Sequence, residues 1–340
     1  MAEVTAPAFT PVNLITGFLG SGKTTLLQRL LADPALADTA VLINEFGEVG
    51  LDHHLLERID ETMVLLQSGC LCCTIRGELS TAIKDLHSKR ERGLVPSFRR
   101  LVVESTGLAD PFPILSTVQA DPVLKHHFRL GNVITTVDAV NGLGRPESIK
   151  QVAMADRLVL TKADIAEAAT VEVLTAELRA LNPDAPLLIA AEERIDAAAL
   201  IGDRFRSSLL AVPAVQQSSH GSVHSFSLTF DGALNWTMFG IWLTMLLHRH
   251  GTAVLRVKGI LNVEGSPTPV AVHGVQHLVH PPIHMAAWPD ENRHSRLVFI
   301  VDGLEREAIE RSLAAFLGLP ALAIATGGVL AADDRKVANH

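Results

Sequence analysis

The chain has 340 residues, and at roughly 150 residues per domain that length holds about two domains, each able to bury a core. Twenty-nine Lys and Arg against 37 Asp and Glu leave a formal charge of −8, which gives no electrostatic footprint for nucleic acid or an anionic membrane. Apolar residues make up 48% of the sequence, yet apolar runs such as Met238 to Leu247 fall well short of the roughly 20 residues that cross a bilayer. No nucleic-acid partner and no membrane partner are expected. The N-terminal stretch has no basic residue ahead of an apolar run, and the three cysteines share one tetrapeptide, so a cytoplasmic setting is the expectation.

From Val12 to about Ala191, short β-rich runs alternate with amphipathic stretches, the rhythm of an α/β domain with a parallel-rich sheet and flanking helices. Strands are predicted at Val12 to Thr16, Ala40 to Asn44, Met63 to Leu66, Leu101 to Glu104, Val133 to Asp138, Leu158 to Thr161 and Leu187 to Ile189. Helices should start near Lys23, Arg76, Pro113, Ser148 and Thr170. Residues 192–222 lose this rhythm and read as a linker. A smaller α+β domain over 223–330 follows. Its strands are predicted at Val223 to Phe230, Ala253 to Leu261, Pro269 to Val275 and Arg296 to Val301, with a helix over Asn235 to His250. Asn235 is its expected N-cap and Gly251 its stop. A last helix, Leu304 to Leu317, sets Leu304, Ala308, Ile309, Leu313 and Phe316 along one stripe. Residues 331–340 form a polar tail.

The first strand runs into Gly17-Phe18-Leu19-Gly20-Ser21-Gly22-Lys23-Thr24, a complete G-x-x-x-x-G-K-[ST] between a predicted strand and a predicted helix. Glycines let successive N–H groups and the helix N-terminus point at a β-phosphate. Lys23 supplies a cation to the β/γ oxygens, and the Thr24 hydroxyl can ligate Mg²⁺. Asn44 to Asp52, with Glu45, Gly47, Glu48 and Gly50, has the composition of a mobile loop near a γ-phosphate. It reads equally as a solvated turn. Glu104 ends a buried strand where a Mg²⁺-associated carboxylate would sit.

Thr161-Lys162-Ala163-Asp164 at the end of a later strand is a version of the N/T-K-x-D element. A carboxylate at Asp164 can accept from guanine N1–H and the exocyclic amine, whereas adenine offers neither donor there. This favours GTP over ATP, and Lys162 can lay its stem along the base. The bland reading is a strand end followed by an N-cap Asp.

Cys70-Leu71-Cys72-Cys73 follows Gly69. In an extended segment Cys70 and Cys72 share a face and can grip one borderline metal such as Zn²⁺ or Co²⁺, with Cys73 joining through a turn. Three sulfurs leave a fourth position open, which suits transfer better than storage. Buried inert thiols or a redox pair are the competing readings. His273, His277, His280 and His284 would share a helical face, but Gly274, Pro281 and Pro282 argue for strands and loops, so packing or surface roles are expected for them.

Taken together, GFLGSGKTTLL from Gly17, NEFGEVGLD from Asn44, GCLCC from Gly69, ESTGLADP from Glu104 and TKAD from Thr161 closely resemble the CobW-like metal-chaperone GTPases of the G3E branch. The second domain is similar to that family's C-terminal domain through Leu255 to Leu261, Val272 to His277, Trp288-Pro289 and Ser295 to Phe299. The resemblance implies a slow GTPase that loads a transition metal and hands it to a client metalloprotein or metal-inserting complex. It places nucleotide contacts on Gly17, Gly20, Ser21, Gly22, Lys23, Thr24, Thr25, Thr161, Lys162 and Asp164. Lys23, Thr24, Glu45 and Glu104 form its catalytic set, with Mg²⁺ near Thr24 and Glu104. The transition metal falls to Cys70, Cys72, Cys73 and the loop residue Glu48. A nucleotide-gated metal sensor with negligible turnover and a P-loop phosphotransferase are the alternatives.

Overall fold

A computed structural model describes residues 9–43, 65–67, 75–190, 196–202, 219–220, 222–318 and 324–325. It divides into two compact units, Met1–Ser208 and Leu209–His340. Among the described residues no helix is long and apolar enough to cross a membrane.

The first unit is built on seven strands: β1 (Thr10–Gly17), β2 (Thr39–Ile43), β3 (Leu65–Gln67), β4 (Arg100–Glu104), β5 (Phe128–Asp138), β6 (Arg157–Thr161) and β7 (Leu187–Ile189). They pair in the order β3-β2-β4-β1-β5-β6-β7, and every pairing is parallel. Helices α1 (Lys23–Leu31), α2 (Ile75–Glu91), α3 (Pro111–Ala120), α4 (Leu124–His127), α5 (Pro146–Met154), α6 (Ala168–Leu181) and α7 (Ala197–Ile201) accompany the sheet. Strands covered on both faces read as continuous apolar runs, and Val102, Val103, Ile134, Val159 and Leu160 are accordingly buried.

Two expectations need correction. The strand expected from Val133 starts at Phe128, although Gly131 and Asn132 look like breakers. Asn13 on the neighbouring strand supplies the reason: its Oδ1 accepts the Asn132 N–H at 2.8 Å, and its side chain passes so close to Gly131 that a Cβ there would collide with it. The strand thus continues through a local shift of the β1–β5 register between Val12 and Leu14. The region read as a linker also contains α7, whose Ala197, Leu200 and Ile201 pack with Ile15, Leu27 and Val41 in the first unit's core. Asn132 fastens that helix by donating to the carbonyls of Leu200 at 3.1 Å and Gly202 at 2.7 Å.

The second unit is an antiparallel sheet. Its strands are β8 (Ser219–His220), β9 (Val223–Phe230), β10 (Val254–Leu261), β11 (Val270–Val275), β12 (Leu278–Val279), β13 (Ile283–His284), β14 (Ser295–Asp302) and β15 (Ile324–Ala325). The main path is β12-β11-β10-β14-β9-β15, with β13 on β11 and β8 on β9. Two helices, α8 (Trp236–His250) and α9 (Arg306–Leu317), cover one face. Phe226, Phe299, Trp242 and Leu313 meet in that core, and the Trp242 indole N–H donates to Ser312 Oγ at 2.9 Å, joining the two helices. Asn235 caps α8 by accepting the Met238 N–H. Gly251 is the residue after the helix, as expected, with a φ of −58°, and glycine is required there by space, since a Cβ would strike the His277 ring and the Leu247 carbonyl. His277 Nδ1 donates to that carbonyl at 2.8 Å. His273 lies on β11 and stacks on His280, with ring centroids 4.3 Å apart, so the four histidines do not share a helical face.

Candidate nucleotide and metal site

The turn between β1 and α1 is made possible by three glycines with positive φ, Gly17 at 143°, Gly20 at 71° and Gly22 at 87°. Gly17 is further required by space, because a Cβ would meet Thr136 on β5 and the Ser21 side chain. Ser21 Oγ and Thr136 Oγ1 share a buried hydrogen bond of 2.6 Å, so the loop is held from β5 as well as from its own ends. Lys23 Nζ donates to the carbonyls of Gly17 at 3.1 Å and Phe18 at 3.2 Å, which keeps the ammonium over the loop. Thr24 follows on the first turn of α1. Its hydroxyl donates to Glu104 Oε1 at 2.7 Å.

Glu104 is only 3% exposed at the carboxyl end of β4. The β1–β4 ladder extends one residue past it, through the Ser105 N–H to the Ile15 carbonyl and Ser105 Oγ to Thr16 Oγ1 at 2.9 Å. The chain then passes directly over the phosphate loop, where a Cβ on Gly107 would collide with the Leu19 backbone. From α5, the buried Gln151 amide donates to the carbonyls of Gly107 at 3.2 Å and Ala109 at 3.1 Å.

The Thr161-Lys162-Ala163-Asp164 turn leaves β6 beside this loop. Thr161 Oγ1 donates toward the Ser21 carbonyl at 2.8 Å and the Val137 carbonyl at 3.1 Å, and its methyl rests 3.4 Å from where a Gly22 Cβ would be. Lys162 adopts a left-handed conformation, φ 58°, and its ammonium pairs with Asp138 Oδ2. Asp164 is exposed on the following turn. Thr25 lies on α1 and is exposed. One unit therefore brings together Gly17 to Thr25, Glu104 and residues 161–164 at the carboxyl ends of parallel strands, the place where open α/β sheets bind ligands.

Several residues here were not singled out from the sequence. Asp138 ends β5 next to β6. Burial alone would raise its carboxyl, but hydrogen bonds from Lys162, Asn141 and the Val140 N–H outweigh that and hold it below its ordinary value. A strand-end acid one strand away from T-K-x-D was a usable signal. Gln151 and Thr136 carried none, since their roles depend on pairing across the sheet. Glu45, Glu48, Cys70, Cys72 and Cys73 lie outside the described residues. Among the described residues, no three His, Cys, Asp or Glu side chains are grouped to hold a metal ion.

The model of the CobW/HypB/UreG nucleotide-binding domain matches residues 11–189, and that of the cobalamin synthesis protein cobW C-terminal domain matches residues 223–317. The chain is 35% identical over 318 residues to a zinc chaperone, YjiA, of Escherichia coli K12, covering 91% of this chain and 98% of that protein. It is 27% identical over 344 residues to a zinc chaperone, CobW, of Pseudomonas aeruginosa, covering 89% and 90%. The crystal structure of Zn(II)-bound YjiA GTPase from E. coli superposes with a TM-score of 0.70 at 30% identity, over 91% of this chain and 99% of that one. The chain belongs to the CobW/HypB/UreG family of nucleotide-binding proteins, in the branch that also carries the CobW C-terminal domain.

Proposed function

We propose that this protein is a GTP-hydrolysing metal chaperone that takes up zinc, or cobalt in its place, on Cys70, Cys72 and Cys73 and delivers it to a client metalloprotein. The observation that carries the reading is the phosphate loop braced to both Glu104 and Thr161. Its support is the family, whose relatives include zinc chaperones. Gly17, Gly20, Ser21, Gly22, Lys23, Thr24 and Thr25 receive the phosphates, and the N–H groups at the start of α1 face their negative charge. Asp164 selects guanine by accepting its two donors, Lys162 lies along the base, and Thr161 fixes this turn to the loop.

The donor set at Thr24 and Glu104 fits a hard divalent ion: a hydroxyl and a buried carboxylate already converge to 2.7 Å. These two residues would hold Mg²⁺, which when bound neutralises charge on the β- and γ-phosphate oxygens. Glu45 belongs to the catalytic set with Lys23, Thr24 and Glu104, and Glu48 joins the thiolates for the cargo metal. If GTP favours convergence of the thiolates, metal favours GTP by the same factor, and hydrolysis weakens the site.

Anaerobic Co²⁺ titration of the reduced protein, with and without a non-hydrolysable GTP analogue, tests this. One-to-one binding with thiolate charge-transfer absorption, strengthened by the analogue and abolished in Cys72→Ala, is the expected result. Equal uptake by Cys72→Ala would remove the cysteines from the site, and binding indifferent to nucleotide would break the coupling.

A further inference from the structure

Helix α8 of the C-terminal unit buries Phe239, Trp242, Leu243, Leu246 and Leu247 against the sheet. Its opposite side is also apolar. On that side Met238 is 39% exposed, Ile241 45% and Met245 56%, while Trp236 at the rim stacks on the buried Phe239, and no charged residue occurs between Trp236 and Leu247. A helix on a protein surface ordinarily carries charge on its outer face. The polar groups that are present are partly masked. The Thr244 hydroxyl donates to the Gly240 carbonyl at 2.8 Å, so its proton is already used within the helix.

Charge is confined to the two ends and differs in sign. At the N-terminal end stand Glu264 and Asp231, both exposed, the latter already paired with His294 at 3.0 Å. Glu264 is tied to the helix start through the Asn235 amide at 3.4 Å and through its own N–H to the Leu234 carbonyl at 3.0 Å. At the C-terminal end stand His248, Arg249 and His250. An apolar centre with an acidic end and a basic end is complementary to itself when turned by a two-fold axis.

We propose that this face of α8 pairs with the same face of a second copy of the chain, the two helices antiparallel about an axis beside Ile241. Met238 of each copy then meets Met245 of the other, and Arg249 of each lies opposite residues 234–235 of the other, next to Glu264. One helix pair buries less surface than a permanent dimer requires, so the association is concentration-dependent, with a dissociation constant on the order of 10 µM at low salt. Raising salt weakens it by screening the ends. The proposal is independent of the nucleotide and metal assignments.

Sedimentation equilibrium of the full chain from about 1 to about 100 µM, with and without a GTP analogue, reads this directly. The expected result is a monomer–dimer equilibrium in both conditions. Ile241→Glu, which sets two carboxylates face to face at the axis, should weaken it about 100-fold. Since Ile241 is exposed, the melting temperature measured at about 1 µM, where the chain is monomeric, should not change. Arg249→Glu should weaken the dimer about 10-fold, and adding Glu264→Arg should restore it, an outcome only the antiparallel arrangement gives. A monomer at the highest concentration would overturn the proposal and leave the face to a different protein. So would a dimer that forms only with nucleotide, or one indifferent to Ile241→Glu.

Discussion

Replacing Thr161 with Val removes one hydroxyl and little else, since the two side chains have nearly the same shape. In the native protein that hydroxyl lies 2.8 Å from the Ser21 carbonyl and 3.1 Å from the Val137 carbonyl, but it has a single proton to give. Only one hydrogen bond is therefore at stake, in a buried position. Leaving a buried carbonyl without that donor costs about 1–2 kcal/mol. For a unit of this size the loss lowers the melting temperature by about 2–8 °C. The shorter contact belongs to the phosphate loop, so the Ser21 peptide loses its brace. GDP affinity should fall by up to about 10-fold, the equivalent of 1.4 kcal/mol. Thr161→Ser keeps the hydroxyl and gives up only the methyl over Gly22, and it should retain GDP affinity while losing some stability. Fluorescent-GDP titration and calorimetry measure the two quantities. If Thr161→Val melted and bound as the native protein does, the hydroxyl would not be coupling the base-side turn to the loop.

Lys23→Ala should lower GTP turnover at least about 100-fold, measured as phosphate release; undiminished hydrolysis would refute the phosphate-loop assignment. Asp164→Asn should relax the preference for GTP over ATP, read by competition binding, and unchanged discrimination would move the base site elsewhere. Asp121→Ala tests the joint between α2 and α3. The Ser80 hydroxyl hydrogen bond, with help from the Leu124 N–H, Lys84 and the Val123 N–H, holds the Asp121 carboxyl well below the ordinary carboxylate range. A depressed folded value contributes stability that is present above the unfolded value near 3.9 and is lost as pH falls toward the folded one. Denaturant melts should thus show a constant deficit of about 1–2 kcal/mol for Asp121→Ala between about pH 5 and 7. The deficit should shrink below about pH 4, and a deficit that persisted there would show that the ionised carboxylate is not its source.

Much of the arrangement was legible in the sequence because it rests on local rules. A glycine-rich turn flanked by a strand and a helix announces itself, as does an acid ending an apolar strand, and both recur where expected, at Gly17 to Thr24 and at Glu104. Asn235 capped its helix as its side chain requires. What could not be read depends on residues far apart in the chain. Asn132 looks like a breaker until Asn13 is beside it, the crowding of Gly251 by the His277 ring has no local sign, and α7 looks like linker until its Leu200 meets the core of the first unit. The Asp138–Lys162 pair is of the same kind: 24 residues separate its members, and only the parallel pairing of β5 with β6 brings them together.

The chain that follows Glu104 is gripped from two sides, by the closeness of Gly107 to Leu19 below and by the Gln151 amide, which spends both its N–H groups on the carbonyls of Gly107 and Ala109. Its backbone is already in close contact with the phosphate loop, and it rises only by releasing those two hydrogen bonds or by drawing the middle of α5 with it. Any displacement of this segment away from the loop therefore carries the cost of those two hydrogen bonds, and that cost is set by one side-chain amide on a helix, Gln151, rather than by the loop itself.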